Sequence, residues 1–589
     1  MHQPIKNKGL VANADRRAIV SRPRSSPSEY PLLAALFCAV ALPLAWAYQQ
    51  PPLPAFFSQA LAVALWSGVL LALAGVTRPT LQVGNSGGIK RWPAATPVGL
   101  WALLLTAVVA HAVSGLTPSF VAAPIALNLA LAMLLSVAVG YGSLPALSLG
   151  RWLRTLLIGI LIAALVNALA ALVQFMAPSW ADDNWIARMV PPHDRASGNL
   201  RQPNQLATLM VWGLLATSYL WRGKPLVWMA VSAPLLATLL ATGSRTGIVS
   251  LLLIIAVALA RSRRVRAWRT KGWLLLLLGT IPLIWFAENS FTRSTASAAL
   301  AQRLALWRDV LEIISQHPWV GVGWGQLNFA WTLTQLPSRA ADVFDHAHSL
   351  PLHMAAELGI PLVALLLYLL AALFWRARAA LNTSDGATVV LLLATMLLHS
   401  LFEYPLWFSY FLLPSAFLLA WLVAAGQDDS KLPPQASQPA GKPRAVKLTG
   451  VLAIASLVAM ISVVYATREY RKATSIHRSV AAPDALARAI DAARASPLFG
   501  HFGDYAAIML AGDAASPDLF LRPTRHVLDE RLLSAYARML VRSGDLARAA
   551  FVVDRAREFP PDAAFANLPP LGASSPALLT PLTARDFRR

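Results

Sequence analysis

The feature that most constrains this chain is a series of apolar runs, roughly 18 to 25 residues each, recurring along most of its length. Each is long enough to cross a hydrocarbon layer about 30 Å thick as a helix. Of 589 residues, 57% are hydrophobic and only 13% are charged, whereas soluble domains carry about 25% charged residues. The expected fold class is an all-α polytopic integral membrane protein. Thirteen candidate spans fall near 31–48, 54–76, 97–115, 119–141, 152–176, 204–221, 225–242, 246–260, 272–287, 352–375, 388–403, 406–425 and 448–466.

A net charge of +22 would suggest nucleic acid in a soluble chain. In a membrane protein it reads first as topology, because Lys and Arg collect in cytoplasmic loops. Residues 1–30 are a basic leader containing Lys6, Lys8, Arg16, Arg17, Arg22 and Arg24. No convincing small-residue cleavage site follows the first apolar run, which therefore reads as a retained span. With this leader cytoplasmic, it and the loops on its side hold about 25 Lys and Arg, against about eight in the opposite loops. The single cysteine, Cys38, lies in the first run and allows no intramolecular disulfide.

Two loops on the far side are long, 177–203 and 288–351. In the second, Leu304, Leu306, Trp307, Val310, Leu311 and Ile314 fall largely on one helical face. Pro318 and the glycine turn Gly321, Gly323 and Gly325 end that helix. An interfacial helix is expected, with Trp307, Trp319, Trp324 and Trp331 at headgroup level. The transmembrane domain then covers 31–426, followed by a Pro-rich cytoplasmic linker 427–447, a last span 448–466 and a non-cytoplasmic tail 467–589. In the tail, "LLSAYARMLVRSGDLARAAFVVDRAREFP" has the pattern of a tetratricopeptide-type hairpin, expected either to pack on the membrane part or to be partly mobile.

The unusual polar residues gather on the far side. They include "HDRASGNLRQPNQLA" (193–207) with Asn204 and Gln205, "ATGSRTGIVS" (241–250) with Arg245, and "LFEYPLW" (401–407) with Glu403 and Tyr404. The long loop adds Arg303, Gln326, Asn328, His346, His348 and His353. Charges at a membrane edge are expensive and usually functional. Arginine forks suit a phosphate or diphosphate, and no Gly-Lys-Ser/Thr phosphate loop points to ATP. A lipid diphosphate, which brings its own activated bond, fits better, and no cofactor is expected. Neutral imidazole can take a proton from an attacking hydroxyl. For the histidines a catalytic base, a structural hydrogen bond and a zinc site all remain open; base is the preferred reading for His348. "ADDN" (181–184) is a weak acidic metal motif.

The segments "GSRTG" (243–247), "RLALWRDVLEIISQHPWVGVGWGQLNF" (303–329), "HAHSLPLHMAAELGIP" and "SLFEYPLWF" (400–408), in this order, resemble the O-antigen ligase/polymerase superfamily. Through "GWGQLNFAW", "HAHS" and "FEYPLWF", with the extra span and tail, the chain looks most like the PglL/PilO-type O-linked oligosaccharyltransferases. The similarity covers roughly 190 to 420. It implies an enzyme of the bacterial inner membrane, with its site and C-terminus periplasmic. Such an enzyme moves a glycan from undecaprenyl diphosphate to Ser or Thr of pilin-like or other exported proteins. By this resemblance His348 is the base or acceptor-positioning group, and Arg245 and Arg303 engage the diphosphate. Asn204 and Gln205 match a polar motif less clearly tied to chemistry; Gln326, Asn328, His346, His353 and Glu403 are further substrate-binding candidates. The implied reaction is inverting and metal-independent. Ser349 departs from the pattern, since many relatives have Asn after the second histidine.

Two alternatives share or oppose this chemistry. An O-antigen ligase or polymerase would use the same donor with a lipid A core or lipid-linked acceptor. A transporter or glycolipid flippase would show internal repeats and paired broken helices near the midplane, and no clear repeat is seen.

Overall fold

The computed structural model describes residues 29–76, 92–140, 146–189, 195–261, 293–336, 339–340, 343–426, 448–480 and 482–559. Among these residues the chain is helical and contains no strand. The membrane part begins with α1 (Tyr30–Ala45), α2 (Phe56–Val76), α3 (Trp92–Val113), α4 (Ser119–Gly140) and α5 (Ala146–Met176). It continues with α6 (Pro203–Leu220), α7 (Pro225–Ala241) and α8 (Arg245–Arg261). The long loop carries α9 (Arg293–Gln316), α10 (Leu327–Leu333) and α11 (Leu350–Leu358). After it come α12 (Ile360–Ala377), α13 (Ser384–Ser400), α14 (Ser409–Ala425) and α15 (Leu448–Arg478). The tail adds α16 (Pro483–Arg494), α17 (Gly500–Ala511), α18 (Glu530–Arg542) and α19 (Leu546–Arg557).

Six helices among the described residues are long and apolar enough to cross a membrane, and five shorter ones are apolar. The expected span at 272–287 lies outside the described residues. Helix starts follow local chemistry. Gln202 caps α6 by accepting the Gln205 N–H at 2.7 Å, with Pro203 at the first helical position. Asp529 caps α18 through the Leu532 N–H at 2.8 Å.

Helix α14 is buried from Ser409 to Val423. A helix apolar on all sides belongs inside a bundle, and α14 occupies that place. Phe417 meets Trp66 of α2 and Trp152 of α5 with ring centroids 5.6 and 6.3 Å apart. The opposite case is α15, whose Ile454, Leu457, Val458, Ile461 and Val464 are exposed and suited to lipid.

The span expected at 448–466 is longer in the structure, because α15 runs unbroken to Arg478. Its extension buries Tyr470 and Ala473. The Tyr470 hydroxyl donates to the Gln50 carbonyl at 2.7 Å and the ring stacks on Phe56 at 3.9 Å. This docks the base of the tail on the α1–α2 turn.

The single span expected at 352–375 is two helices, α11 and α12, divided at Gly359 with φ 83°. The glycine turn causes the break. Val322 and Gly323 donate N–H bonds to the carbonyls of Ala356 and Glu357, and Ile360 donates to Pro318. The backbones approach so closely that a Cβ on Gly321 would sit 2.3 Å from the Glu357 carbonyl carbon.

The long loop and the tail share one apolar core. Leu306, Val310 and Ile313 of α9 and Trp331 of α10 pack with Leu528, Leu532, Leu540, Val552 and Phe559. This corrects the interfacial-helix expectation. Leu304 and Leu311, read as part of the apolar face, are exposed, while Ile313 is buried. Trp331 is fully buried with its indole N–H on Asp309 at 3.0 Å, and Trp324 stacks on Trp407 at 5.8 Å. Trp319 is exposed. The tail supplies the apolar surface that a bilayer was expected to supply.

Candidate functional site

Glu403 organises the site. It follows α13 in a short connection to α14, where Pro405–Trp407 make one 3-10 turn. Its Oε1 accepts from Arg303 of α9 at 2.8 Å and from Asn204 Nδ2 of α6 at 3.0 Å. Its Oε2 lies 2.8 Å from Nδ1 of His348. Residues from four parts of the sequence therefore meet on one carboxylate. Burial pushes the Glu403 carboxyl up, but the His348 hydrogen bond and the charges of His348 and Arg303 outweigh it. The group ends below its ordinary value.

An ionised Glu403 can only accept, so it holds the Nδ1–H of His348, and a neutral ring bound this way presents its lone pair at Nε2. Nε2 has no partner among the described residues, and the side chain is 26% exposed. His348 also has φ 46°, a left-handed conformation that costs a non-glycine residue about 1–2 kcal/mol. Two contacts beside it hold the loop: the Trp307 indole donates to the Ala347 carbonyl at 2.9 Å, and the Phe344 ring meets His348 edge-on at 6.1 Å.

The turn before α8 is tied to this cluster by Arg195, which the sequence reading passed over. Its Nε donates to the Thr242 carbonyl at 2.8 Å and its guanidinium reaches Asn204 Oδ1 at 3.3 Å. The neighbouring Ala196 N–H donates to the Ala241 carbonyl. Arg245 is exposed at the start of α8 and has no ion-pair partner among the described residues. Among the described residues nothing takes up its guanidinium donors. His399, one turn before Glu403, binds Thr208 Oγ1 through Nδ1 at 2.7 Å. A histidine inside an apolar run is the signal that would have found it.

Gln205 sits just behind, accepting the Tyr410 hydroxyl at 2.8 Å. With Arg201, Gln202, Glu403, Tyr404 and Tyr410 it lines a cavity of about 500 Å³. The "ADDN" aspartates serve local structure: Asp182 closes a turn through the Trp185 N–H at 2.8 Å, and Asp183 pairs with Arg201 at 2.6 Å.

The three histidines separate. His346 stacks flat on Tyr404 at 3.8 Å and on His353 at 5.1 Å. Asp345 is 2.9 Å from His346 Nδ1 but not aligned for a hydrogen bond. His353 Nδ1 faces the Ala347 N–H at 3.5 Å. Its neighbour Glu357 accepts backbone N–H bonds from Gly325 at 2.8 Å and Leu327 at 3.0 Å. His346 and His353 line a second cavity of about 1160 Å³, mostly apolar, across the Tyr404–Trp407 segment from the first. Gln326 and Asn328 are placed away from Glu403. Gln326 exchanges hydrogen bonds with Arg525 at 2.5 and 3.1 Å, and Asn328 accepts the Leu528 N–H at 2.7 Å.

Three family models match the chain: an O-antigen ligase model over residues 230–367, a model of the C-terminal part of a virulence factor membrane-bound polymerase over 387–570, and a protein glycosylation ligase model over 196–221. Two relatives come from Acinetobacter baylyi. The chain is 27% identical to a general O-oligosaccharyltransferase over 282 residues, 44% of this chain and 49% of the relative. It is 26% identical to a ComP-specific O-oligosaccharyltransferase over 240 residues, 39% of this chain and 44% of the relative. The chain thus spans about half the length of the curated relatives it matches. Together these matches show a multi-pass membrane chain that carries O-antigen ligase-type sequence and resembles the protein O-oligosaccharyltransferases of that group.

Proposed function

We propose that the protein transfers a glycan en bloc from an undecaprenyl-diphosphate carrier to Ser or Thr hydroxyls of exported, pilin-like proteins. The site faces the periplasm in this reading, as the Lys and Arg distribution favours. The observation that carries it is the His348–Glu403–Arg303 cluster: an imidazole oriented by a carboxylate, beside an arginine only partly used by that same carboxylate.

In this mechanism Glu403 fixes the His348 tautomer, and Nε2 takes the proton of the acceptor hydroxyl as it attacks the anomeric carbon. The diphosphate leaves from the opposite face, inverting that centre. Arg303, with its remaining N–H donors, and Arg245 stabilise the charge growing on the leaving oxygens, an electrostatic role. Asn204 and Arg195 keep the α8 turn in register with Glu403. A donor with its own activated bond requires neither nucleotide nor resident metal.

A second reading keeps the donor and changes the acceptor to a lipid-linked glycan or lipid A core. The match of 387–570 to the polymerase model favours keeping it in view. The test is expression in cells lacking their own ligase but supplied with a lipid-linked glycan and a pilin. Intact pilin mass and the glycan bands on lipid A are read from the same cells. Glycosylated pilin supports protein transfer; glycan on lipid A or longer chains alone assigns the second reading.

A further inference from the structure

We infer that Asn328 is a positioning residue through which the C-terminal tail sets the geometry of His348. The inference rests on the proposed role of His348. Asn328 is 97% buried on α10 and spends both ends of its amide. Its Oδ1 accepts the Leu528 N–H of the tail at 2.7 Å, and its Nδ2 donates to the Phe344 carbonyl at 3.0 Å. Phe344 begins the segment that turns through His348, and its ring is the edge-on neighbour of the imidazole. One side chain therefore connects the tail backbone to the histidine loop.

The arrangement is more specific than general packing. His348 has a positive φ, so its loop needs fixed points, and the only groups holding the carbonyls of Phe344 and Ala347 among the described residues are Asn328 and Trp307. The tail is fixed in turn. Arg525 binds Gln326 and the Leu116 carbonyl at 2.7 Å, and the fully buried Arg339 pairs with Glu558 at 2.8 Å while donating to the Trp331 carbonyl at 2.6 Å. A buried amide satisfied at both ends resists reorientation, because losing either partner leaves a polar group stranded. The tail is thereby a part of the site's framework, and a Ser or Ala at 328 would disconnect it.

The test uses the full-length protein in nanodiscs. Asn328→Asp keeps an acceptor for the Leu528 N–H but sets an oxygen against the Phe344 carbonyl; Trp307→Phe removes the other anchor and keeps a ring. Hydrogen exchange over 343–350 and transfer kinetics are measured for both. Faster exchange in the loop is expected, with kcat lowered on the order of ten- to a hundred-fold and KM for donor little changed. Loop exchange equal to wild type in both variants overturns the inference, as does wild-type kcat in a variant whose loop exchange is faster. Altered loop exchange in a protein whose wild type transfers to no acceptor supports the clamp and overturns the transferase reading instead.

Discussion

Nδ1 of His348 lies 2.8 Å from Oε2 of Glu403, a residue 55 positions later in the chain. The same carboxylate holds Arg303 at 2.8 Å. The proposed base and the proposed charge-stabilising arginine thus share one orienting group, so removing that group should damage both roles at once.

Glu403→Gln is the first consequence. The amide preserves shape but offers both a donor and an acceptor, so the His348 tautomer is no longer fixed and the arginine loses its counter-charge. Transfer is expected to fall by about 10²-fold or more, with the protein still monodisperse and membrane-inserted. Single-turnover transfer to a purified acceptor checks this.

Arg303→Lys separates charge from shape. Lysine retains the positive charge but cannot bridge Glu403 and a diphosphate with a planar fork. A loss in kcat on the order of tenfold is expected, and a larger loss for Arg303→Ala. Parallel kinetics of the two variants give the order, and equal activity of lysine and wild type would remove the bidentate role.

Gly321 has φ 71°, and a Cβ there meets the Glu357 backbone. Gly321→Ala is expected to destabilise the loop by about 2 kcal/mol or more, because it adds a steric clash to a left-handed conformation. A lowered Tm in detergent, read by intrinsic fluorescence, is the measurement.

The tail carries a pH-dependent element. Burial pushes the His526 imidazole down to about 4 and that of His501 to about 2, with each other's proximity adding to the depression at His501. Their rings are 4.1 Å apart and His501 stacks on Phe120 at 4.7 Å. Both are neutral when folded, whereas an unfolded histidine gains its proton near pH 6.5. The unfolded state thus binds more protons below that value, so stability falls as pH drops from about 6.5 towards 4, by on the order of 1 kcal/mol per pH unit for each histidine. Tm measured between pH 7.5 and 5 should decline, and His526→Phe should flatten the slope.

The membrane character, the segments that meet at Glu403 and the helix pair α18–α19 around Gly544 were readable from local pattern. Apolar run length, the Gly-Asp turn and polar residues at run ends are short-range signals. The division at Gly359 was also signalled, since "ELGIP" puts Gly two residues before Pro, yet run length overrode it. The tail contacts of Gln326 and Asn328 were not readable. Their partners in the tail are 199 and 200 residues away, and a polar side chain facing a tail backbone looks the same in sequence as one facing substrate. Arg195 was missed for the same reason: its function is to join Thr242 to Asn204, a relation visible only in space.

The most direct test of the central claim is a transfer assay with purified protein, lipid-linked glycan and a pilin acceptor, comparing wild type with His348→Ala by intact mass of the acceptor. The account expects a glycan-sized mass increase with wild type that disappears with His348→Ala. A variant that glycosylates the acceptor at the wild-type rate would contradict the assignment of His348 as base.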